Sequence, residues 1–308
     1  MKVLFCGLGS IGTRHLKNLH AVAARKGVPV QAYALRSSAR ALPAGTKALL
    51  AGEFCTLPQG AQFDAAFLTN PTSLHYGTLC ALRGKAGALF IEKPIFDAPG
   101  KNLDACLAPG QKAYVAAPMR WCGVMLALKR LLPQLKPYSV RVICSSYLPD
   151  WRPGVDYRTV YSAHRAMGGG VAIDLIHEWD YLAELFGMPR QVYCLKGTYS
   201  ELELDSDDLA VYIARYDTLL AEVHLDYFGR AYRRSIELFC KDGTVTADFG
   251  AGTLTLADGR VEAYEEPVNA RYVREMEYFL EYALHGTGES LNPPHTAQEV
   301  LKIALGEA

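Results

Sequence analysis

The glycine-rich segment near the start of the chain places the strongest constraint on the fold. The apolar run VLFC at 3–6 leads directly into GLGSIG at 7–12, and apolar residues then recur at helical spacing. A buried strand, a glycine-rich turn and a helix in this order open a Rossmann dinucleotide-binding unit. We expect Gly7 to allow the tight turn, Gly9 to let the backbone approach a pyrophosphate, and Gly12 to let the helix pack closely on the strand. The alternative is a turn that merely contains glycines.

Length and charge limit the class of protein. A chain of 308 residues can form two domains, and half of its residues are hydrophobic. Basic and acidic residues balance at a net charge of zero, which gives no electrostatic case for nucleic acid or an anionic membrane as a partner. No apolar run reaches the about 20 residues that a membrane span requires, and the first residues do not resemble a signal peptide. We therefore expect a soluble, cytoplasmic protein.

The cysteines indicate free thiols rather than disulfides or a metal site. Eight are spread over the chain, none forms a C-x-x-C pair, and several lie in apolar segments. Isolated cysteines in apolar segments behave as small hydrophobic residues. The sequence therefore predicts reduced thiols in a reducing compartment and no metal.

The end of the second predicted strand, at 29–35, bears on the choice of cofactor. Many NAD-binding Rossmann proteins place Asp or Glu there to bind the ribose hydroxyls, whereas this chain has RSSAR at 36–40. A guanidinium and hydroxyl groups can pair with a 2′-phosphate, which a carboxylate would repel. We expect NADP to be preferred, with Arg36 as the main contact and Ser37 beside it, and NAD as the other candidate. A solvated basic loop is the alternative.

Two further predicted strands end in polar residues. The strand at 63–69 leads into NPTSLH at 70–75, and the strand at 88–91 leads into EKP at 92–94. Ligands of open α/β sheets bind at the carboxyl ends of the strands. These segments are therefore predicted to face a bound cofactor, although His75 is equally well explained as a helix-surface residue.

The character of the predicted strands changes after residue 118. The strand at 111–117 closes the first domain, and from 138 onwards apolar and polar residues alternate, which is typical of half-buried antiparallel strands. Further strands are predicted at 191–196, 209–216, 219–227, 234–240 and 244–249, and helices at 122–132, 171–186, 272–285 and 295–308. The predicted fold class is α/β, with a Rossmann NAD(P)-binding domain at 1–118. A substrate-binding and oligomerisation α+β domain follows at 119–308, with a mainly antiparallel, open-faced sheet.

The segment 147–167 is polar and aromatic, and we predict that it lines a pocket. Aromatic faces suit sugar rings, and guanidinium groups suit a carboxylate or phosphate. We expect Trp151, Tyr157, Arg158 and Tyr161 to contact the substrate. The alternative is a lid or interface loop without substrate contact.

The helix predicted at 171–186 carries Asp174 and His177. They are three positions apart, so a continuous helix places them on one face. The glycines at 168–170 allow another segment or a cofactor to approach this helix closely. The alternative is a helix-capping aspartate and a histidine satisfied in the core.

Four motifs in this order resemble the Gfo/Idh/MocA family of oxidoreductases: GLGSIG at 7–12, NP at 70–71 followed by His75, EKP at 92–94, and GGGVAIDLIHEWDY at 168–181. The resemblance covers nearly the whole chain. It implies a two-domain, NAD(P)-dependent enzyme that acts on sugars, inositols or sugar derivatives.

The resemblance also implies catalytic roles for Lys93, Asp174 and His177. The chain departs from the family pattern at one point, because only Leu175 and Ile176 separate that aspartate and histidine, where many members have three residues. The shorter spacing bears on the role of Asp174 more than on that of His177.

The predicted reaction moves a hydride between a nicotinamide and a hydroxyl or carbonyl carbon of a sugar, a sugar acid or a nucleotide-linked sugar. His177 is expected to take the hydroxyl proton, Lys93 to stabilise charge on the oxygen, and Asp174 to orient one of them. The residues predicted to bind the cofactor are Gly7, Gly9, Ser10, Ile11, Gly12, Arg36, Ser37, Asn70, Pro71, His75, Glu92 and Lys93. Two alternatives stay open: a redox-assisted lyase, epimerase or glycosidase with a tightly bound cofactor, and a non-catalytic NADP-binding protein. We also expect a homodimer or homotetramer formed through the C-terminal sheet.

Overall fold

The computed structural model describes residues 1–37 and 41–307 and divides the chain into two compact units. The first unit contains Met1–Pro118 and Asn269–Gln298. The second contains Met119–Val268 and the end of the chain from Glu299. The chain therefore leaves the first unit after Pro118, forms most of the second unit, and then returns to the first.

Helices and strands are numbered in chain order. The first part of the chain contains β1 (Lys2–Cys6), α1 (Ser10–Arg25), β2 (Gln31–Leu35), α2 (Ala44–Lys47), β3 (Gly52–Phe54), β4 (Phe63–Leu68), α3 (His75–Ala81), β5 (Ala86–Ile91), α4 (Leu103–Cys106) and β6 (Lys112–Val115). The remainder contains α5 (Gly123–Leu131), β7 (Ser139–Tyr147), α6 (Val171–Asp174), α7 (His177–Phe186), β8 (Gln191–Gly197), β9 (Leu209–Arg215), β10 (Leu220–Asp226), β11 (Phe228–Cys240), β12 (Gly243–Asp248), β13 (Thr253–Thr255), β14 (Val261–Ala263), α8 (Asn269–His285) and α9 (Pro294–Leu305).

The first unit contains a parallel sheet whose described strands lie in the order β3-β2-β1-β4-β5-β6. On central strand β1, Val3 pairs with Ala32 of β2 on one side and with Ala65 of β4 on the other. The central strands are covered on both faces, and for this reason they appear in the sequence as continuous apolar runs. The strand order reverses between β1 and β4, which creates the crevice in which such sheets bind ligands.

Aromatic rings fill the core of the first unit. Phe5 and Phe67 stack with 4.5 Å between ring centroids, and Phe90 lies 5.0 Å from Phe67. Phe279 of helix α8 packs edge-on against both Phe67 and Phe90. Because α8 covers this face of the sheet, the segment 269–298 belongs to the first unit, whereas the predicted division placed it in the second domain. The periodicity of a helix shows that one face is buried but does not show which sheet covers it.

The second unit contains an open sheet with the described strand order β14-β13-β12-β11-β7-β10-β9-β8. Strands β7 and β10 are parallel, and the other neighbouring pairs among the described strands are antiparallel. Residues on one face, such as Val142 and Val223, are fully buried, while Tyr193 and Leu195 on β8 are exposed. The predicted fold class is therefore confirmed, including the mainly antiparallel sheet with one open face.

Two predicted elements differ from the structure. The prediction of one helix over 171–186 is wrong, because Leu175 leaves helical geometry at φ −96° and ψ 29° and separates α6 from α7. Strand β11 begins at Phe228 rather than at 234, and its pairing with β7 shifts register between Phe228 and Arg233. Apolar periodicity continues across the helix break, and the first half of β11 has exposed polar residues, so neither feature has a simple sequence signal.

Within the described ranges, no helix is both long enough and apolar enough to cross a membrane.

Candidate functional site

The glycine turn after β1 has the geometry that a dinucleotide-binding turn requires. Gly7 has a φ of +94°, and a Cβ atom there would lie 2.9 Å from the Cα of Asn70. A Cβ at Gly12 would lie 2.6 Å from the carbonyl oxygen of Gly7, so helix α1 and the turn touch backbone to backbone. A Cβ at Gly9 would meet no atom of the described residues within 4 Å. The space over Gly9 is therefore open to a ligand.

The start of helix α1 is suited to an anion. Gly9 is the N-cap and contributes no side-chain hydrogen bond, and the first turn carries no acidic residue. The N–H groups of Ser10 and Ile11 begin the helix at its positive end. The turn thus combines open space with uncapped donors, which fits the pyrophosphate of a dinucleotide.

Arg36 follows β2 and forms an ion pair with Glu53 of β3 at 2.5 Å. Both side chains are partly exposed. The neighbouring Ser37 is exposed, and the rest of the predicted 2′-phosphate segment, 38–40, lies outside the described residues. The carboxylate of Glu53 offsets part of the positive charge on which the NADP prediction depends.

The segment after β4 is held in place by His75. Its imidazole is buried, with Nε2 3.0 Å from the carbonyl oxygen of Asn70 and Nδ1 3.2 Å from that of Ile95. Burial lowers the pKa of His75, and its backbone contacts oppose this only in part. His75 therefore connects the Asn70–Pro71 turn to the segment after Lys93, and it does not present its ring at the surface.

Glu92 and Lys93 follow β5, and the carboxylate of Glu92 has two partners. It accepts a hydrogen bond from His15 Nε2 at 2.5 Å through one oxygen and from the Lys93 N–H at 3.2 Å through the other. Burial raises the pKa of Glu92, but His15, Lys93 and His75 outweigh it and leave that pKa below its usual value. His15 was not among the residues predicted from the sequence, and its core-facing position on α1 was the available signal.

In the second unit, a cavity of about 420 Å³ brings together polar and aromatic side chains. It is lined by Cys144, Ser146, Tyr147, Asp150, Trp151, Asp174, Leu175, His177, Gly229, Arg230, Tyr232 and Arg234. This volume matches that of pockets for small organic ligands. Two predicted catalytic residues, Asp174 and His177, line the same cavity even though they belong to separate short helices.

Asp174 is fixed by a chain of contacts across the cavity wall. Its carboxylate accepts a hydrogen bond from the Tyr227 hydroxyl at 2.6 Å. Burial, followed by the charge of Asp174, raises the pKa of Tyr227 well above its usual value, so the phenol stays protonated as a donor. Trp151 packs edge-on against Tyr227 at 5.3 Å and donates from its indole to Ser146 at 3.1 Å. These contacts hold the carboxylate and one aromatic wall in fixed positions.

Two ion pairs anchor helix α7 just after His177. Arg234 of β11 donates to both oxygens of the buried Glu178, at 2.7 and 3.1 Å. Arg120 donates to both oxygens of Asp180, at 2.9 and 2.8 Å. Bidentate pairs of this kind fix orientation as well as position. They set the start of α7 and with it the direction of His177.

The four residues predicted to contact the substrate are divided by the structure. Trp151 lines the cavity, whereas Tyr157, Arg158 and Tyr161 are not among its lining residues. The guanidinium of Arg158 is exposed and bonded to Asp156 and Glu203, so its charge is already compensated. The segment that contains these three residues remains a predicted pocket or lid loop.

Strand β11 supplies cavity residues that the sequence analysis missed. Arg230, Tyr232 and Arg234 alternate along its first half, and Arg230 lies 3.7 Å above the ring of Tyr147. Their i, i+2, i+4 spacing was the available signal, but Arg230 and Tyr232 lie before the predicted start of the strand at 234. No group of three His, Cys, Asp or Glu side chains in the described ranges could hold a metal ion.

Part of the second unit matches a known family. Residues 136–246 match the family described as the GFO/IDH/MocA C-terminal domain. This match agrees with the family that the motifs of the sequence resemble. A comparison with curated protein sequences gave no match.

Solved structures share the fold over nearly the whole chain. The WlbA dehydrogenase from Bordetella pertussis, solved with NADH and UDP-GlcNAcA, is 19% identical with a TM-score of 0.77, covering 99% of this chain and 94% of that one. A levoglucosan dehydrogenase, solved with NADH and levoglucosan, is 16% identical with a TM-score of 0.81 and coverages of 99% and 95%. The myo-inositol 2-dehydrogenase from Lactobacillus plantarum is 17% identical with a TM-score of 0.77 and the same coverages. At these identities the likeness establishes the fold.

Proposed function

We propose that this protein is an NAD(P)-dependent oxidoreductase acting on a hydroxyl or carbonyl carbon of a sugar, a sugar acid or a nucleotide-linked sugar. The observation that carries the proposal is the arrangement of groups at one edge of the first sheet. The glycine turn, with open space over Gly9, follows β1 at this edge, and Glu92 and Lys93 follow β5. Only β4 lies between these two strands. We assign cofactor binding to the first unit and substrate binding to the second.

The structural neighbours support a nicotinamide cofactor. The WlbA and levoglucosan dehydrogenases were solved with NADH, and GenD2 of gentamicin A biosynthesis was solved with NAD. In this chain, the start of α1 offers the donors for the pyrophosphate, and Asn70, Glu92 and Lys93 lie at the ends of the next strands. The bound nicotinamide would supply the hydride chemistry.

Each proposed catalytic residue has a separate role. Lys93 would donate a hydrogen bond to the substrate oxygen and stabilise the charge that develops on it. His177 would accept the proton of the hydroxyl group during oxidation and return it during reduction. Asp174, held by Tyr227, would orient the imidazole or the reacting hydroxyl group. The two ion pairs of α7 support this assignment because they fix the helix that begins with His177.

The lining of the cavity supports a sugar-type substrate. Trp151, Tyr147 and Tyr232 offer aromatic faces, while Asp174 and Ser146 offer hydrogen-bonding groups. Aromatic faces with a few fixed polar groups are typical of small-molecule sites. Arg230 adds an exposed positive charge, which suits the acidic or nucleotide-linked members of the substrate class.

The first experiment separates cofactor binding from folding. Gly9→Ala adds a methyl group where no described atom lies within 4 Å, so the fold should be retained. If a pyrophosphate occupies that space, NADH binding measured by fluorescence titration should weaken by at least about tenfold. A variant that binds NADH as well as the wild type would contradict the assignment of the glycine turn.

The second experiment tests the chemistry. Turnover is followed at 340 nm with levoglucosan, myo-inositol and UDP-GlcNAcA, together with a wider panel of sugars and sugar acids. Lys93→Met and His177→Ala should each lower turnover by at least about a hundredfold. Near wild-type rates in either variant would refute that residue's role. Turnover of substrate without net change in NADH would favour a redox-assisted lyase, epimerase or glycosidase.

The preference for NADP belongs to the same proposal and depends on Arg36. Glu53→Gln removes the carboxylate that pairs with this guanidinium, so the affinity for NADPH relative to NADH should rise. Arg36→Ala should lower the same ratio by about tenfold. If the wild type binds NADPH and NADH with equal affinity, and Arg36→Ala leaves the ratio of the two affinities unchanged, the proposed preference for NADP is contradicted.

We further propose that the open face of the second sheet forms a homo-oligomer interface. Tyr193 and Leu195 of β8, Ile213 of β9 and Leu220 of β10 expose apolar side chains on strands that neighbour one another. Clustered exposed apolar residues commonly mark protein interfaces. Leu195→Glu should shift the mass measured by light scattering toward the monomer, whereas Lys241→Glu in the exposed β11–β12 turn should not. A wild-type protein that elutes as a monomer would contradict this proposal.

A further inference from the structure

His15 is the buried polar residue that the proposed reaction leaves unexplained. It lies on α1, is fully buried, and packs its ring 4.7 Å from Phe90 in the aromatic core. Placing an imidazole in such surroundings costs free energy unless its polar atoms are paired. Its Nδ1 has no hydrogen-bond partner among the described residues, so its single strong contact is the one from Nε2 to Glu92.

Glu92 transmits that contact to the chain beside it. One carboxylate oxygen is held by His15, and the other accepts the backbone N–H of Lys93 at 3.2 Å. The side chain of Glu92 is 13% exposed, which leaves little room for another orientation. Helix α1, which follows the glycine turn, is thereby joined to the strand end that carries Lys93.

We propose that His15 is a positioning residue for Lys93 and acts through Glu92. The imidazole holds the carboxylate in one orientation, and the carboxylate fixes the backbone of Lys93 and places a negative charge beside its ammonium group. This inference rests on the proposed function of Lys93. It adds a residue that touches neither cofactor nor substrate but sets where the ammonium group stands.

The electrostatic surroundings of Glu92 support the same inference. The titratable groups that interact with Glu92 are His15 on α1, the adjacent Lys93, His75 on α3 and Tyr272 on α8. The hydrogen bond and charge of His15 are the largest of the influences that lower the pKa of Glu92. Without His15 these two influences would be lost, and Glu92 would become protonated at a higher pH than in the wild type. The negative charge beside Lys93 would then be lost at a correspondingly higher pH.

Two substitutions separate the hydrogen bond from the packing. His15→Phe keeps an aromatic ring without a donor, and His15→Gln keeps a side-chain N–H near the position of Nε2. His20→Gln is the matched control, because His20 lies on the same helix and contacts the carbonyl oxygen of Leu49 instead of Glu92. Glu92→Gln serves as the second test if His15→Phe does not fold.

The first measurement needs no activity. Hydrogen–deuterium exchange of the apo-protein reports the Lys93 amide, which is easily isolated because Pro94 has no N–H. Exchange at Lys93 should be about tenfold faster in His15→Phe and near the wild-type rate in His15→Gln and His20→Gln. A residue that only filled space would instead speed exchange along α1 as a whole. Unchanged exchange at Lys93 would overturn the proposal.

The second measurement uses the best substrate of the sugar panel. His15→Phe should lower kcat by about tenfold to a hundredfold, with KM for sugar and Kd for NADH within threefold, because misplaced catalytic groups affect turnover more than binding. The acid limb of its kcat–pH profile should move to higher pH, and His15→Gln should restore most of both effects. A loss that glutamine does not restore, with an unmoved acid limb, would overturn the proposal. If the wild type turns over no sugar, the proposed function fails while the exchange experiment still decides the role of His15.

Discussion

Replacing Arg234 by methionine should destabilise the second unit by about 3 kcal/mol. Methionine keeps much of the aliphatic stem but offers no donor to Glu178, whose side chain is fully buried and bonded at both oxygens. Removing one partner of a buried pair costs about 3–5 kcal/mol because it leaves an uncompensated charge. We take the lower end because the Arg234 side chain is 13% exposed and water can reach the remaining carboxylate in part.

The charge state of the pair supports this magnitude. Burial alone would lower the pKa of Arg234, but Glu178 and Cys144 raise it well above its usual value, so the guanidinium is charged at any working pH. Burial, followed by the charge of Glu178, raises the pKa of Cys144, which keeps that thiol neutral beside the pair. The cost of losing Arg234 therefore comes from Glu178.

Tryptophan fluorescence provides an assay confined to this unit. All three tryptophans, Trp121, Trp151 and Trp179, belong to the second unit, so urea unfolding followed at their emission reports its stability. Arg233→Met is the matched control, because Arg233 is the exposed neighbour on β11 and should change stability by no more than about 0.5 kcal/mol. The double variant Arg234→Met/Glu178→Gln should recover much of the loss, since it removes the unpaired charge.

A loss below about 1 kcal/mol in Arg234→Met would contradict a large cost for the unpaired Glu178 carboxylate. The pair would then resemble exposed ion pairs, which contribute little to the free energy of unfolding. A double variant as unstable as the single one would also contradict it, because the cost would then come from lost packing and not from the buried charge.

Three further outcomes can be checked together. Gly12→Ala should lower the stability of the first unit by about 1–3 kcal/mol, measured by circular dichroism, because the added methyl group meets the Gly7 carbonyl; an unchanged melting temperature would contradict this. Asp226→Asn should be less stable than the wild type at pH 7, with the deficit shrinking toward pH 3. Burial raises the pKa of Asp226, but hydrogen bonds from His224 and Gly229 outweigh burial and leave that pKa below its usual value. The ionised carboxylate therefore adds stability above the ordinary pKa of about 3.9. This stability is lost as the pH falls through the lowered pKa. A deficit that does not depend on pH would show that its charge is not responsible. Trp151→Ala should raise the KM for the best sugar by about tenfold while NADH binding is unchanged, and an unchanged KM would contradict a contact between Trp151 and the substrate.

The Rossmann part of the fold could be predicted because its requirements are local. A positive φ at Gly7 and a backbone contact at Gly12 each restrict the residue type to glycine, and buried parallel strands appear as short apolar runs. The strand ends that carry Arg36 and Lys93 could be predicted from the same pattern. The side chains that surround Arg36 and Lys93 could not be predicted from it. Glu53 and His15 reach these positions only through the tertiary fold, and no local spacing connects them to their partners.

The second unit shows where prediction from the sequence ends. Asp174 and His177 line one cavity, but they do so across a break at Leu175 that a continuous apolar pattern conceals. The cavity wall formed by β11 was missed because its outward residues are exposed and polar, which resembles a loop when no partner strand is visible. Pairing between distant strands is a tertiary property, and it decides which of these residues meet.

The return of the chain to the first unit has a consequence for biosynthesis. During translation, β1 to β6 leave the ribosome long before α8. The sheet face carrying Phe67 and Phe90 therefore stays uncovered until Phe279 of α8 has been synthesised. A fragment that stops near Pro118 would keep that aromatic surface bare and should aggregate. We therefore expect the nascent chain to depend on chaperones most strongly between the synthesis of β6 and that of α8.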